Sequence, residues 1–251
     1  MLTELNPAEH AGLKLRENCG VHFASKQHVM LIHAAEVVKA VSSFPVFMSR
    51  SASTGRWHMF AVTGLQVGTN VFVEGDKWLA TYQPAGMQTY PFFLMRSDDT
   101  PEGFTVGFDG DGDAFTNEGG AALFTDQGKP SPQLETVTKQ LKADIQSDLQ
   151  TTAFAERLDE LGLFKSIRVN VQYASGAVQT ITDLHTIDEE RLQSLDSEQK
   201  LDLLDRGYLL LIHAMLISVF QLNTLIRKQN AHPDLPAVGQ IKLEVSRDDH
   251  G

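Results

Sequence analysis

The residues best able to do chemistry in this chain are three histidines and a glutamate near its start. His22, His28 and His33 lie close together, and Glu36 follows His33 by about one helical turn. Imidazole with carboxylate is the ligand set of zinc and non-haem iron sites. The spacing matches no ligand motif, however, and a solvated face with one half-buried histidine is the plainer account. A second cluster, Asp109-Gly110-Asp111-Gly112-Asp113, puts carboxylates at alternate positions, as a calcium loop would. An EF-hand then needs glycine at its sixth position and glutamate at its twelfth, where this chain has Ala114 and Gly120. A solvated turn is therefore expected, and no metal site or cofactor is assigned.

Other reactive types are weaker still. Cys19, the single cysteine, sits beside Asn18 and Gly20 with no catalytic signature, which reads as a small residue near a strand start. His213 lies in the most apolar segment, where a buried polar group without a partner costs about 1–3 kcal/mol, so a structural hydrogen bond is expected. No nucleophile elbow, phosphate loop, dinucleotide fingerprint or zincin helix is present.

Aromatic chemistry is concentrated between Gly64 and Phe93. Val71 to Val73 read as a strand, Glu74-Gly75-Asp76 as a turn, and Trp78 to Tyr82 as the returning strand of a hairpin. Pro84 and Pro91 then interrupt strand pairing, because proline donates no ladder hydrogen bond. Tyr90-Pro91 is a candidate cis peptide. Rings on strands are most often core. Here the two prolines beside Trp57, Trp78, Tyr82, Tyr90, Phe92 and Phe93 favour a groove for a peptide or a sugar, in which flat rings supply large contact area. The binding residues expected are Asn70, Trp78, Tyr82, Pro84, Tyr90, Pro91 and Phe92.

The order G-x-N-x-F-V (Gly68, Asn70, Phe72, Val73), then Trp78, Tyr82, Pro84 and Ala85, then Tyr90-Pro91-Phe92, resembles the SapC family. These are bacterial proteins of about this length named after a surface-layer locus, and the resemblance extends weakly over nearly the whole chain. Where family members commonly carry arginines before the Y-P-F triplet, this sequence has Met87-Gln88-Thr89, so an anionic ligand held there is not expected. The resemblance implies a link to surface-layer formation. It also implies association with outer-membrane receptor systems and with protein- or tryptophan-modifying enzymes, and hence a peptide or protein partner.

Composition sets the limits on these readings. A hydrophobic share of 42% and a charged share of 21% are those of a folded globular protein. The net charge of -11 disfavours nucleic acid and anionic membranes, both of which it would repel. A lone cysteine allows no internal disulfide and fits a reducing compartment. The N-terminus has no basic segment followed by an apolar run, so a cytoplasmic location is expected, with a non-Sec export route left open. The longest apolar run, Tyr208 to Leu222, is interrupted by His213, Ser218 and Gln221 and falls short of the ~20 residues of a membrane span, so none is expected.

The elements that must position these residues give an α+β fold: a mainly antiparallel sheet region, then a helix-rich half with a late β-hairpin and a buried C-terminal helix. Residues 1–127 form the β-rich region with one helix and 128–251 the helix-rich region, two layers of one compact domain. Short strands are expected between Leu13 and Ala24, and a helix from about Val29 to Ser42. Strands follow at Val46 to Met48, Trp57 to Val62 and Phe104 to Phe108. Two amphipathic helices come next, around Leu134 to Ile145 and Phe154 to Leu161, with Gly162 ending the second. A hairpin spans Phe164 to Leu184, and capping boxes at Thr186/Glu189 and Asp196/Gln199 start two short helices. A helix from Tyr208 to Lys228, apolar nearly all round, belongs in a core or an oligomer interface, and a last strand covers Ile241 to Val245.

The function expected is a non-catalytic binding or accessory protein recognising a peptide or protein in a surface-layer or outer-membrane-receptor-associated system. One alternative is a metal-dependent, iron or zinc, peptide-modifying enzyme. The other is a homo-oligomeric structural subunit, which predicts an exposed apolar face on the Tyr208 to Lys228 helix.

Overall fold

A computed structural model describes residues 2–97, 103–110, 113–116 and 118–246. The chain is α+β, with antiparallel sheets dominating its first half and helices most of its second. It forms two compact units, and each is built from three separate stretches of sequence.

The larger unit contains residues 25–74, 78–84 and 147–251. Its centre is a six-stranded sheet in the order Val238–Val245, Phe164–Tyr173, Val178–Ile187, Val46–Arg50, Trp57–Val62, Val29–Leu31, every neighbouring pair antiparallel. Strict alternation fixes the register of the second strand, where Ile167, Val169, Val171 and Tyr173 are buried while Arg168 and Gln172 are exposed. Phe44, Phe47, Met48, Met59, Phe72, Phe154, Leu158, Leu203 and Ile212 fill the core beside it, all essentially inaccessible.

The smaller unit contains residues 1–24, 75–77 and 85–146. It has a three-stranded sheet in the order Leu2–Glu4, Phe104–Asp109, Phe92–Arg96, and a second in the order Phe115–Thr116, Lys14–Leu15, Ala121–Ala122. Leu15, Cys19, Phe92, Phe108, Leu123, Leu134 and Leu141 are among its core residues.

Several expected elements differ in kind. The helix placed at Val29 to Ser42 begins as a strand, Val29–Leu31, paired with Trp57–Val62, and turns helical only at Ala34–Glu36 and Val37–Ala40. The apolar spacing there is met by an alternating strand plus one turn, which the periodicity alone does not separate. Around Cys19 the chain is helical over Cys19–Ser25, not a strand. The two helices expected between Leu134 and Leu161 are one, Pro132–Glu160, ending where Gly162 takes φ 65°. Leu163 N–H reaches back to the Leu158 carbonyl at 2.9 Å, closing the helix end. The Asp196/Gln199 capping box is present, but the preceding helix is capped by Asp188, with Thr186 still in the strand.

The last helical stretch is Tyr208–Ser218, a 3₁₀ turn Val219–Gln221, and Leu222–Ala231. Ile212, Met215, Leu222 and Leu225 are buried, yet Leu210, His213, Ile217 and Phe220 lie along one exposed stripe, with Phe220 74% accessible. The helix is thus only half a core helix. His213 makes the expected bond, its Nδ1 2.6 Å from the Leu209 carbonyl, but does so from the exposed side. Continued to Ala231, the stretch is long and apolar enough to cross a membrane, with only 33% of its most apolar window buried. The part of this stretch from Tyr208 to Leu222 is shorter than a membrane span, and the continuation through Leu222–Ala231 supplies the added length.

Candidate functional site

The larger unit gathers Trp78, Tyr82, Glu36 and His33 into one hydrogen-bonded chain. A tight ladder of Val73–Glu74 with Lys77–Trp78 forms the hairpin, shorter than expected because Val71, Phe72 and residues 79–82 leave the ladder. Asn70 holds the approach: its buried Oδ1 accepts from Phe72 N–H at 2.9 Å, an Asx turn that swings Phe72 into the core. Phe72 meets Phe44 edge-on at 4.7 Å between ring centres, and the Lys228 ammonium lies over the Phe72 ring, 5.0 Å from its centroid. Gly64 is required beside this loop, since a Cβ there would sit 1.8 Å from the Thr69 carbonyl oxygen.

Trp78 is half-buried against Phe44 and Phe72, and its Nε1 donates to the Tyr82 carbonyl at 2.8 Å. That bond curls residues 78–82 so that the tyrosine hydroxyl reaches inward and donates to Glu36 Oε1 at 2.7 Å. Glu36 is 7% exposed, and its Oε2 accepts from the His33 backbone N–H at 2.8 Å with His33 Nδ1 3.1 Å away. A buried carboxylate needs such donors to offset its desolvation. Behind it, Ala34 N–H donates to Thr151 Oγ1 at 2.9 Å, tying the turn to the helix Pro132–Glu160.

A carboxylate behind an imidazole can orient a histidine for proton transfer. Here both Glu36 oxygens are engaged in holding the 3₁₀ turn and the tyrosine, which is the work of a structural anchor. Ala34 and Ala35, just before Glu36, also line an open groove of about 420 Å³ with Gln150, Ala153, Arg206, Tyr208 and Leu211.

The seven residues expected to bind are divided between the units. Asn70 and Pro84 are buried in the larger one, with Trp78 and Tyr82 partly accessible and Leu79 exposed between them. Tyr90, Pro91 and Phe92 belong to the smaller unit, where Pro91 and Phe92 are buried. Tyr90 is half-exposed, stacked on Phe23 at 4.2 Å, and joined to Pro91 by a cis peptide bond. Burial first, then the nearby Asp109, raises the Tyr90 phenol above its usual range. Trp57 lies apart from Trp78, packed on Phe164 with the Arg50 guanidinium 5.5 Å over its ring.

The histidines do not converge. His22 pairs with Asp76 at 2.8 Å in the smaller unit, while His28 and His33 belong to the larger. Among the described residues no three His, Cys, Asp or Glu side chains could hold one ion. In the acidic loop, Asp111 and Gly112 lie outside the described residues. The Tyr82–Glu36 link had no signal in the sequence, since the two are 46 positions apart.

The class of protein is supplied by comparison with known families. The SapC family model matches residues 5–225, so the chain belongs to the SapC family. No curated protein and no solved structure matches it.

Proposed function

We propose that this protein is a non-catalytic binding or accessory protein that takes a peptide segment on the Trp78–Tyr82 curl, within a surface-layer or outer-membrane-receptor-associated system. The observation carrying the reading is that both rings are pinned by their polar ends, Trp78 to the Tyr82 carbonyl and Tyr82 to Glu36, while remaining partly accessible. Rings fixed before binding lose little freedom when a ligand lands on them. Leu79, 44% exposed between them, adds an apolar contact of side-chain size. The system itself is inferred from membership of the family, and a cytoplasmic location is part of the same proposal.

The test is a peptide array probed with the full chain, each hit remeasured by tryptophan fluorescence in a Trp57→Phe background so that Trp78 alone reports. Hits whose signal and affinity fall at least roughly tenfold in Leu79→Ala, and whose array binding is lost in Trp78→Ala, support the reading. An empty array, or hits indifferent to both substitutions, overturns it.

A further inference from the structure

The strand Val238–Val245 stands at the edge of the six-stranded sheet, and among the described residues no strand pairs with its outer side, Asn230 alone bonding the two backbone groups of Val238 at its start. It is eight residues long, exposed over most of its length and free of proline. A row of unpaired backbone groups on such an edge is a template for another strand. The sequence of the strand decides which one.

Register with Phe164–Tyr173 fixes its two faces. Val171 pairs with Ile241, Val169 with Leu243 and Ile167 with Val245, so these three apolar residues share the face on which Ile167, Val169 and Val171 are buried. Even so, Leu243 is 41% and Val245 58% exposed: the apolar layer runs past its cover at this edge. Lys242 and Glu244 occupy the opposite face, 3.6 Å apart.

We infer that this edge pairs with the same edge of a second copy, antiparallel and centred on Leu243. In that register each Leu243 faces its counterpart, Ile241 faces Val245, and Lys242 faces Glu244 in both directions. One two-fold axis thus completes the apolar layer on one face and sets two pairs of opposite charges on the other. A shift by one residue in the pairing sum would place Glu244 against Leu243 and lose both matches. Pairing residues 240–246 of each copy adds about six backbone hydrogen bonds and joins the two sheets into one of twelve strands. The contact is narrow, so the dimer dissociates on dilution. This inference is independent of the aromatic curl, which lies on other segments.

Sedimentation of the full chain over a concentration series tests it, with circular dichroism confirming the fold of each variant. Lys242→Glu and Glu244→Lys should each weaken self-association roughly tenfold by facing like charges. Mixed in equal amounts they should form a heterodimer, because the two glutamates of one chain then meet the two lysines of the other as opposite pairs. A Leu243→Cys chain should cross-link to itself under mild oxidation, with buried Cys19 out of reach, while Gln240→Cys should not, its two copies lying about 20 Å apart. A monomer at every concentration overturns the inference. So do dimers that withstand both charge reversals, or that cross-link through Ile217→Cys on the exposed helix and not through Leu243→Cys.

Discussion

Glu36 is buried with two donors on its carboxylate, a backbone amide and a phenol, and an imidazole nitrogen 3.1 Å away. Removing the carboxylate strands the tyrosine hydroxyl and the His33 amide together, and each buried group left unpaired costs about 1–3 kcal/mol. Glu36→Ala should therefore lower stability by roughly 3 kcal/mol in urea denaturation. Tyr82→Phe, which removes one donor and leaves the turn's own amide bond, should cost roughly 1 kcal/mol. Equal losses in the two variants would show that the carboxylate does not hold the turn. At this scale the sequence was half readable. The spacing of His33 and Glu36 marked the pair but suggested a solvated face where the carboxylate is buried, Asn70 stood out only through the resemblance to the SapC family, and the tyrosine that Glu36 holds lies 46 positions away.

Secondary-structure elements obeyed their local signals wherever one force acted alone. The hairpin Phe164–Tyr173 with Val178–Ile187 follows from alternation around Ser175-Gly176, and the glycine indeed takes a positive φ of 88°. The stretch from Val29 to Ser42 misled because strand pairing with Trp57–Val62 overrode a helical spacing of the same apolar residues. The run Leu134 to Leu161 held no breaker between its two apolar stripes, and so one helix of 29 residues resulted. That helix ends at Gly162, whose φ of 65° a side chain resists at about 1 kcal/mol. Gly162→Ala should lower the unfolding free energy by that amount with no change in the helical circular dichroism signal. A loss of helix instead would mean that the glycine sets helix length and not merely its stop.

For the molecule as a whole, stability against pH follows from its displaced groups. Burial lowers His28 below its ordinary 6.5, so the unfolded chain takes up a proton that the folded one resists. Stability should be complete above pH 6.5 and decline as the pH falls below it. Asp202, held down by hydrogen bonds from Arg206 and Arg157, adds a second decline, beginning near its ordinary 3.8 and finishing below its folded value. On the alkaline side, the raised Tyr90 phenol makes stability fall as the pH climbs past 10. Urea midpoints measured across the range check the signs, and His28→Gln should flatten the decline near neutrality while leaving the others. A midpoint that rises on acidification from pH 7 to 5 would contradict the burial of His28.

Both units are spliced from three stretches of chain, and the helix Pro132–Glu160 begins in one and finishes in the other. No single pair of scissor cuts can therefore liberate either unit whole. On the ribosome the smaller one has all its pieces once Gln146 has emerged, whereas the larger must wait for the strand Val238–Val245. Translation thus imposes an order of assembly, and a nascent chain halted before that strand carries a finished small unit and an open six-stranded sheet one member short.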